Sequence, residues 1–162
     1  MAFADRLRGR VGETFFVSEP FEIVQVDVDV FAAVTRDWDH MHNDPEWARS
    51  VGPWPTTIAH GYYLLSLSSY FHGQAGFPIV ATEDEHIINY GLNRVRFIDP
   101  VRIGDRIRAH FRLLELTDRT SEQALVSSEL RYETDRGGPE GPHMIAETLM
   151  LCVSGAARPS LS

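Results

Sequence analysis

Acidic and imidazole side chains are concentrated in one short stretch of this sequence. The stretch contains Asp37, Asp39, His40, His42, Asn43 and Asp44. Asp37 and His42 are separated by a predicted turn at the exit of a helix, so both side chains can face one point. A carboxylate and an imidazole that contact the same water can move protons near neutral pH. The spacing therefore allows an acid–base pair, as one of three interpretations.

Two other interpretations of the same stretch remain open. The acidic residues are spaced like the first ligands of a calcium loop, but His42 stands where that loop has Gly, and Ala48 stands where it has Glu. His40 and His42 form a possible zinc pair, with no third ligand evident nearby. In the purely structural interpretation, Asp44 caps the next helix, and the other acidic and imidazole groups form turns or lie at the surface.

A long apolar helix is expected to lie beside this pair. It should begin at a cap formed by Thr56 or Thr57 and run to about Phe71, buried on most sides because it is apolar nearly all round. The segment Ile58-Ala59-His60-Gly61 lies at its start. Free backbone N–H groups and the helix dipole favour negative charge there. An acid–base pair next to such an oxyanion site fits proton transfer alpha to a thioester carbonyl.

Shorter elements precede the long helix. The sequence predicts a leading helix or frayed arm and then two extended segments, at Met1–Arg10, Val11–Val17 and Phe21–Val26. A short helix follows, capped by Asp27, with Phe31, Ala32 and Val34 turned inward. A second short helix is capped by Asp44 and begins at Pro45, with Trp47, Ala48 and Val51 on its apolar face.

After the long helix, the apolar period changes from helical to strand-like. Four long strands are predicted, at Ile87–Ile98, Arg106–Leu116, Ala124–Thr134 and Met144–Val153. The loops between them, at 73–85 and 137–142, are rich in glycine or turn residues. One buried helix followed by antiparallel strands indicates a single α+β domain over residues 1–162, in which one curved sheet wraps a central helix. That arrangement is the hotdog fold.

Composition narrows the possible functions. The formal net charge of −8 argues against a general nucleic-acid or anionic-membrane binder. All 15 basic residues are arginine, which removes Schiff-base chemistry by lysine. The lone cysteine, Cys152, excludes an intrachain disulfide and fits a small core residue. The N-terminus lacks an apolar signal core, and no apolar run reaches membrane-spanning length, so we expect a cytoplasmic protein.

Three segments resemble the motifs of a known family and follow one another in the same order. Residues 35–48, TRDWDHMHNDPEWA, resemble the hydratase 2 motif of the MaoC-like dehydratases, which reads roughly Ser or Thr, then Gly-Asp-x-Asn-Pro-x-His-x-Asp-Pro-x-x-Ala. Residues 58–61 match the second signature of the family. Residues 88–97, INYGLNRVRF, look like the subgroup related to nodulation protein N. The similarity covers about residues 11–153. Departures are Arg36 for the usual Gly, and Asp39-His40 for the usual Asn-Pro.

The resemblance implies (R)-specific hydration of trans-2-enoyl thioesters, usually of coenzyme A, and the reverse dehydration. It places the catalytic pair on Asp37 and His42, which would both hold the added water. His42 would act as base, Asp37 would pass a proton to the alpha carbon, and the Gly61 N–H would take the thioester oxygen. No metal and no cofactor beyond the coenzyme A of the substrate are implied.

Further substrate-binding residues and a homodimer are also expected. The substrate-binding candidates are His60, Tyr62, Tyr63, Asn89, Arg94 and Arg96. Adjacent helix positions point about 100° apart, so at most one of the two tyrosines should face the substrate, and the other should be core. Two alternatives stay open: a hotdog acyl-thioesterase, although the long helix lacks the acid that many such enzymes carry, and a non-catalytic acyl-thioester-binding module.

Overall fold

The computed structural model describes residues 3–77, 85–136 and 141–155 of the chain. Its helices and strands, in chain order, are α1 (Phe3–Leu7), β1 (Thr14–Val17), β2 (Phe21–Glu22), α2 (Gln25–Thr35), α3 (His40–Asn43), α4 (Pro45–Ser50), α5 (Gly61–Ser66), α6 (Ser68–Gln74), β3 (Glu85–Phe97), β4 (Arg106–Asp118), β5 (Gln123–Thr134) and β6 (Met144–Ser154). The predicted α+β class with one antiparallel sheet is confirmed. Most of the two glycine- and turn-rich loops, at 78–84 and 137–140, lies outside the described residues.

The sheet has the strand order β1-β4-β5-β6-β3, with β2 also paired to β4, and every pairing is antiparallel. Alternate residues of β4 point to one side of the sheet and are fully buried, as the sequence predicted: Ile107, Ala109, Phe111 and Leu113. Leu64 and Phe71 of the central helices pack against this face. The sheet therefore wraps the helical layer, as in a hotdog fold.

The central helix differs from its prediction in four ways. It begins at Gly61, with His60 as the N-cap, and not at Thr56 or Thr57. Leu67 divides it into α5 and α6, and it continues to Gln74, past the predicted end. It is also not buried on most sides, because Tyr62 is 70% exposed. Thr57 does not cap the helix because its hydroxyl is already bonded elsewhere in the fold.

The helix α2 also starts earlier than predicted. Its N-cap is Val24, which makes no side-chain capping bond, so the predicted cap at Asp27 is wrong. Asp27 instead lies in the first turn and accepts a hydrogen bond from the Tyr63 hydroxyl at 3.3 Å. Burial of Ala32 is confirmed, whereas the inward placement of Val34 is wrong, since it is 77% exposed. Val51 ends α4 and is exposed as well, so its predicted place on the apolar face is also wrong.

The first helix and the last strand contribute to one apolar cluster. Phe3, Ala4 and Leu7 are buried in a second apolar cluster, so α1 is a docked helix and not a frayed arm. Cys152 belongs to this cluster, and burial raises the pKa of its thiol to about 12, which fits the predicted core role. Among the described residues, the helices are all too short or too polar to span a bilayer.

Candidate active site

Three segments bring Asp37, His42 and His60 together. Asp37 follows α2, His42 belongs to α3, and His60 precedes α5. One side-chain donor atom of each lies within 4.8 Å of the others. The turn into Asp37 is made by Arg36, whose backbone is left-handed (φ 69°) and whose N–H bonds to the Ala32 carbonyl. An arginine therefore adopts the conformation that glycine favours at this position.

The orientation of the His42 ring is fixed by the backbone. Its Nδ1 lies 2.8 Å from the Ile58 carbonyl oxygen, which can only accept, so Nδ1 carries the proton and Nε2 keeps a lone pair. The Ile58 N–H in turn donates to the Met41 carbonyl at 3.0 Å. Burial lowers the pKa of His42 below 6.5, and the neighbouring His60 adds to this effect. His42 is therefore neutral near pH 7, as a general base must be.

His60 is a buried side chain that contacts both Asp37 and His42. Its side chain is 2% exposed, and its ring stacks on that of His42 with a centroid distance of 3.8 Å and an interplanar angle of 29°. Its Nε2–H donates to the backbone carbonyl of Asp37 at 3.0 Å. Its Nδ1 is buried without a partner among the described residues. These contacts join His60 to Asp37 and His42, and its predicted contact with substrate stays a prediction.

The remaining polar residues of the stretch have structural roles. Asp39 caps α3 by accepting from the Met41 N–H, and Asp44 caps α4 by accepting from the Trp47 N–H, each at 2.9 Å. The side chain of His40 is 71% exposed and lies 3.3 Å from the Asp44 carboxylate. The structural interpretation is therefore confirmed for the two carboxylates and for His40.

The positions of the possible ligand atoms also test whether this stretch binds a metal ion. His40 and His42 do not form a zinc pair with a common third ligand, because the donors that converge on His42 are those of Asp37 and His60. The three could surround a small ion. However, the lone pairs of stacked imidazoles run side by side and do not converge, and the His42 Nδ1 and His60 Nε2 atoms already face carbonyl oxygens. The arrangement suits a shared water better than an ion.

Gly61 lies where β3 approaches the site. A Cβ atom added there would lie 2.8 Å from ring carbons of Phe97, closer than real side chains come. Glycine therefore allows the Phe97 ring to pack on the first turn of α5. Backbone N–H groups in a first turn have no acceptor within the helix. The sequence contained no sign of this contact, because Phe97 lies far away along the chain.

The two tyrosines of α5 have different surroundings. Tyr63 is buried, and its hydroxyl donates to Asp27. Burial and the nearby Asp27 carboxylate raise the pKa of Tyr63. Tyr62 instead lines a groove of about 370 Å³ between α5, α6 and β3, together with Leu65 and Asn89. The prediction that one of the two tyrosines is core is confirmed.

Arg94 and Arg96 lie in a different place. They line a cavity of about 500 Å³ with Glu129 and Glu147. Leu130 faces the central helices, and its neighbour Glu129 therefore points to the opposite side of β5. A bulge between Asn93 and Arg96 interrupts the pairing of β3 here. The two arginines line the same cavity, and the face on which it lies is turned away from α5.

Comparison with known proteins supports the interpretation of the fold and of the family. The model of the MaoC like domain matches residues 7–134. The chain belongs to the MaoC-like dehydratase family. This MaoC-like chain is 36% identical over 150 residues to 3-hydroxyacyl-thioester dehydratase Z of Mycobacterium tuberculosis, which covers 91% of this chain and 94% of the relative. It is also 36% identical over 126 residues to nodulation protein N of Rhizobium leguminosarum bv. viciae, covering 78% and 77%.

Solved structures agree on the fold of this MaoC-like protein. A MaoC-like dehydratase from Rhodospirillum rubrum superposes with a TM-score of 0.72 at 20% identity and covers 99% of both chains. The (R)-hydratase from A. caviae involved in PHA biosynthesis superposes with a TM-score of 0.62 at 22% identity, covering 85% of this chain and 95% of that one. At these identities, the likeness establishes the hotdog architecture.

Proposed function

We propose that this protein is a hydro-lyase that adds water to trans-2-enoyl thioesters and removes it from (R)-3-hydroxyacyl thioesters. The observation that carries this proposal is the convergence of the Asp37 carboxylate and the His42 ring, whose Nδ1–H is held by the Ile58 carbonyl. The identity of 36% to a 3-hydroxyacyl-thioester dehydratase along almost the whole chain supports the same reaction.

In hydration, the water lies between Asp37 and His42. His42 Nε2 removes a proton as the water oxygen attacks the beta carbon. Negative charge then develops on the thioester oxygen, where the Gly61 N–H donates. The proton that His42 has taken from the water passes to Asp37, which delivers it to the alpha carbon, so both residues end in the protonation state in which they began. The water is thereby divided between the two carbons, and no cofactor is needed beyond the coenzyme A of the substrate.

Two observations weigh against the alternatives. A hotdog thioesterase of the common type needs an acid on the central helix, and α5 and α6 contain neither Asp nor Glu. An acyl-binding module needs a groove but no acid–base pair, whereas here a neutral histidine is held beside a carboxylate. Hydration is the function that uses both the groove and the pair.

The groove beside α5 is the proposed acyl site. Tyr62 and Asn89 line it. Tyr62 directly follows Gly61 in α5, and the Gly61 N–H is the proposed donor to the thioester oxygen. Arg94 and Arg96 are proposed to contact the phosphates of the carrier, because guanidinium groups bind phosphate well. Their position on the far face of the sheet makes a contact within the same subunit difficult, so a second subunit would have to bring the carrier to them.

We further propose a cytoplasmic homodimer. The strand β3 is the edge of the sheet, and Leu92 and Phe97 on it are exposed. Such an edge pairs readily with a second copy across a two-fold axis. Light scattering at working concentration should give twice the mass of the chain. A monomeric mass with full activity would refute the dimer.

The reaction is tested with the purified wild-type protein and a panel of trans-2-enoyl-CoA thioesters of increasing chain length. We expect loss of the conjugated absorbance, and chiral analysis should find the (R)-3-hydroxyacyl product. A saturated acyl-CoA, assayed in parallel for free thiol, tests the thioesterase. Thiol release without hydration would contradict the proposal, and so would tight binding of the panel without turnover.

A further inference from the structure

Gln25 connects the segments that hold His42. It is the first residue of α2, and its side-chain amide makes three hydrogen bonds. Its Nε2 donates to the backbone carbonyl of His42 and to Asp29 Oδ1, each at 2.8 Å. Its Oε1 accepts from the Thr57 hydroxyl at 2.5 Å. One side chain therefore joins α2, α3 and the segment before α5.

The orientation of the Gln25 amide follows from its neighbours. The carbonyl of His42 and the Asp29 carboxylate are acceptors, so the amide nitrogen must face them. The Thr57 hydroxyl can donate and therefore faces the amide oxygen. The Asn43 side chain donates to the same Asp29 oxygen at 2.7 Å, which holds the acceptor in place. A flipped amide would lose both donated bonds.

These bonds hold two backbone carbonyl groups, those of His42 and Ile58, which set the position and the tautomer of the His42 ring. The His42 carbonyl, held by Gln25, fixes the backbone position of the residue. The Ile58 carbonyl, which takes the Nδ1–H, fixes the tautomer and the direction of Nε2. Ile58 follows Thr57, which is 1% exposed and bonded to Gln25. Gln25 therefore holds the first carbonyl directly and the second through the adjacent residue.

We propose that Gln25 is a positioning residue for the reaction, which keeps His42 in the tautomer and direction that it needs as a base. This inference rests on the proposed function, because it assigns Gln25 a role in that chemistry. Water cannot easily replace the amide at Thr57, because that side chain is buried. Losing the amide leaves the His42 carbonyl without its donor and frees the loop to shift.

The kinetic test uses Gln25→Met, which keeps the length of the side chain and removes its hydrogen bonds. We expect kcat for a trans-2-enoyl-CoA to fall about tenfold to a hundredfold, since small displacements of a catalytic group are costly. KM should stay within about twofold, because the substrate is not contacted. The matched control is Gln74→Met, since Gln74 is exposed on α6 and donates only to the Tyr70 hydroxyl among described residues. It should leave kcat unchanged.

A second variant keeps the test decisive if Gln25→Met folds poorly. Thr57→Val removes only the indirect connection to Ile58, and we expect a smaller loss in kcat. The double variant should be little worse than Gln25→Met, because both act through one network. Losses that multiply in the double variant would overturn the shared role.

The spectroscopic test does not depend on turnover. Nitrogen NMR of the imidazoles distinguishes the two neutral tautomers, and His42→Gln identifies the His42 signals. We expect the wild type to show protonated Nδ1 and Gln25→Met to show a mixture of tautomers. An unchanged tautomer together with an unchanged kcat would overturn the inference. If the wild type hydrated no enoyl thioester, the proposed function would fail, while the tautomer shift would still report on positioning.

Discussion

The polar regions around His42 and around Arg94 differ in how firmly their side chains are held. Around His42, side chains from three neighbouring segments are held by backbone carbonyls and N–H groups. Around Arg94, charged side chains of two arginines and two glutamates line an open cavity on the outer face of the sheet. The first region fixes a tautomer and a direction, whereas the second provides charge without a fixed geometry.

The difference shows which kind of region can perform acid–base chemistry. A general base must present its lone pair towards one point, and this needs a fixed ring. Guanidinium groups near a surface can attract an anion from several directions, but they are exposed to solvent, which weakens the attraction. We therefore expect substitutions in the first region to act on kcat, and those in the second to act weakly on KM.

The largest effect is expected for Asp37. Asp37→Asn keeps the size of the side chain and removes the proton-transfer group, so kcat should fall about 10²- to 10⁴-fold. The double variant with His42→Gln should be little worse than the worse single variant, because the two residues act as one unit. Asp39→Asn is the control, since the Asp39 side chain caps α3 by accepting from the Met41 N–H, and asparagine can accept the same bond. Multiplying losses in the double variant would show that the residues act separately.

The second effect is on stability and comes from a buried histidine. Burial lowers the pKa of His72 from 6.5 to about 4. The unfolded chain therefore binds a proton more readily, and the folded state should lose up to about 3 kcal/mol as the pH falls from about 6.5 to about 4. Denaturant unfolding at several pH values measures this loss. His72→Gln should flatten the curve, whereas an equally steep curve in that variant would assign the loss to other groups.

Much of this arrangement could be predicted from the sequence. Alternation placed the buried face of β4 correctly, because a strand side chain has only two directions. The turn between Asp37 and His42 is local, so their spacing showed that the two side chains could meet, and the family resemblance selected them as the pair. The start of α5 was missed because Thr57, a good cap by type, bonds to Gln25 across the fold. The side of the sheet on which Arg94 and Arg96 lie could not be predicted, because the sequence does not tell which face the helices cover and a bulge interrupts β3 here.

A third, smaller effect concerns the contact between β3 and the site. Gly61→Ala should lower the free energy of unfolding by about 1 to 3 kcal/mol, because the new methyl group meets the Phe97 ring. Combining it with Phe97→Ala should relieve the clash. Gly91→Ala is the matched control, since its Cβ would meet one Leu149 carbon at an ordinary 3.8 Å. If the combined variant regains its fold but stays inactive, the Phe97 ring itself is needed.

The smallest effect is expected on the outer face. Arg94→Ala and Arg96→Ala together should raise KM for an acyl-CoA about twofold to tenfold and leave kcat unchanged. The effect on KM is small because an ion pair that is exposed to solvent contributes little binding free energy. Repeating the measurement at high salt should remove the difference, because salt screens exposed charges. A KM that does not change at low salt would show that the carrier binds elsewhere.

The central claim is that one histidine of α3 performs the chemistry. His40 and His42 lie two positions apart, but His40 is exposed beside Asp44, and His42 points into the site. The direct measurement is the rate of hydration of a short trans-2-enoyl-CoA by His40→Gln and by His42→Gln, each confirmed to be folded. We expect His40→Gln to stay near the wild-type rate and His42→Gln to lose about 10²- to 10⁴-fold. A near-normal rate for His42→Gln would contradict the account.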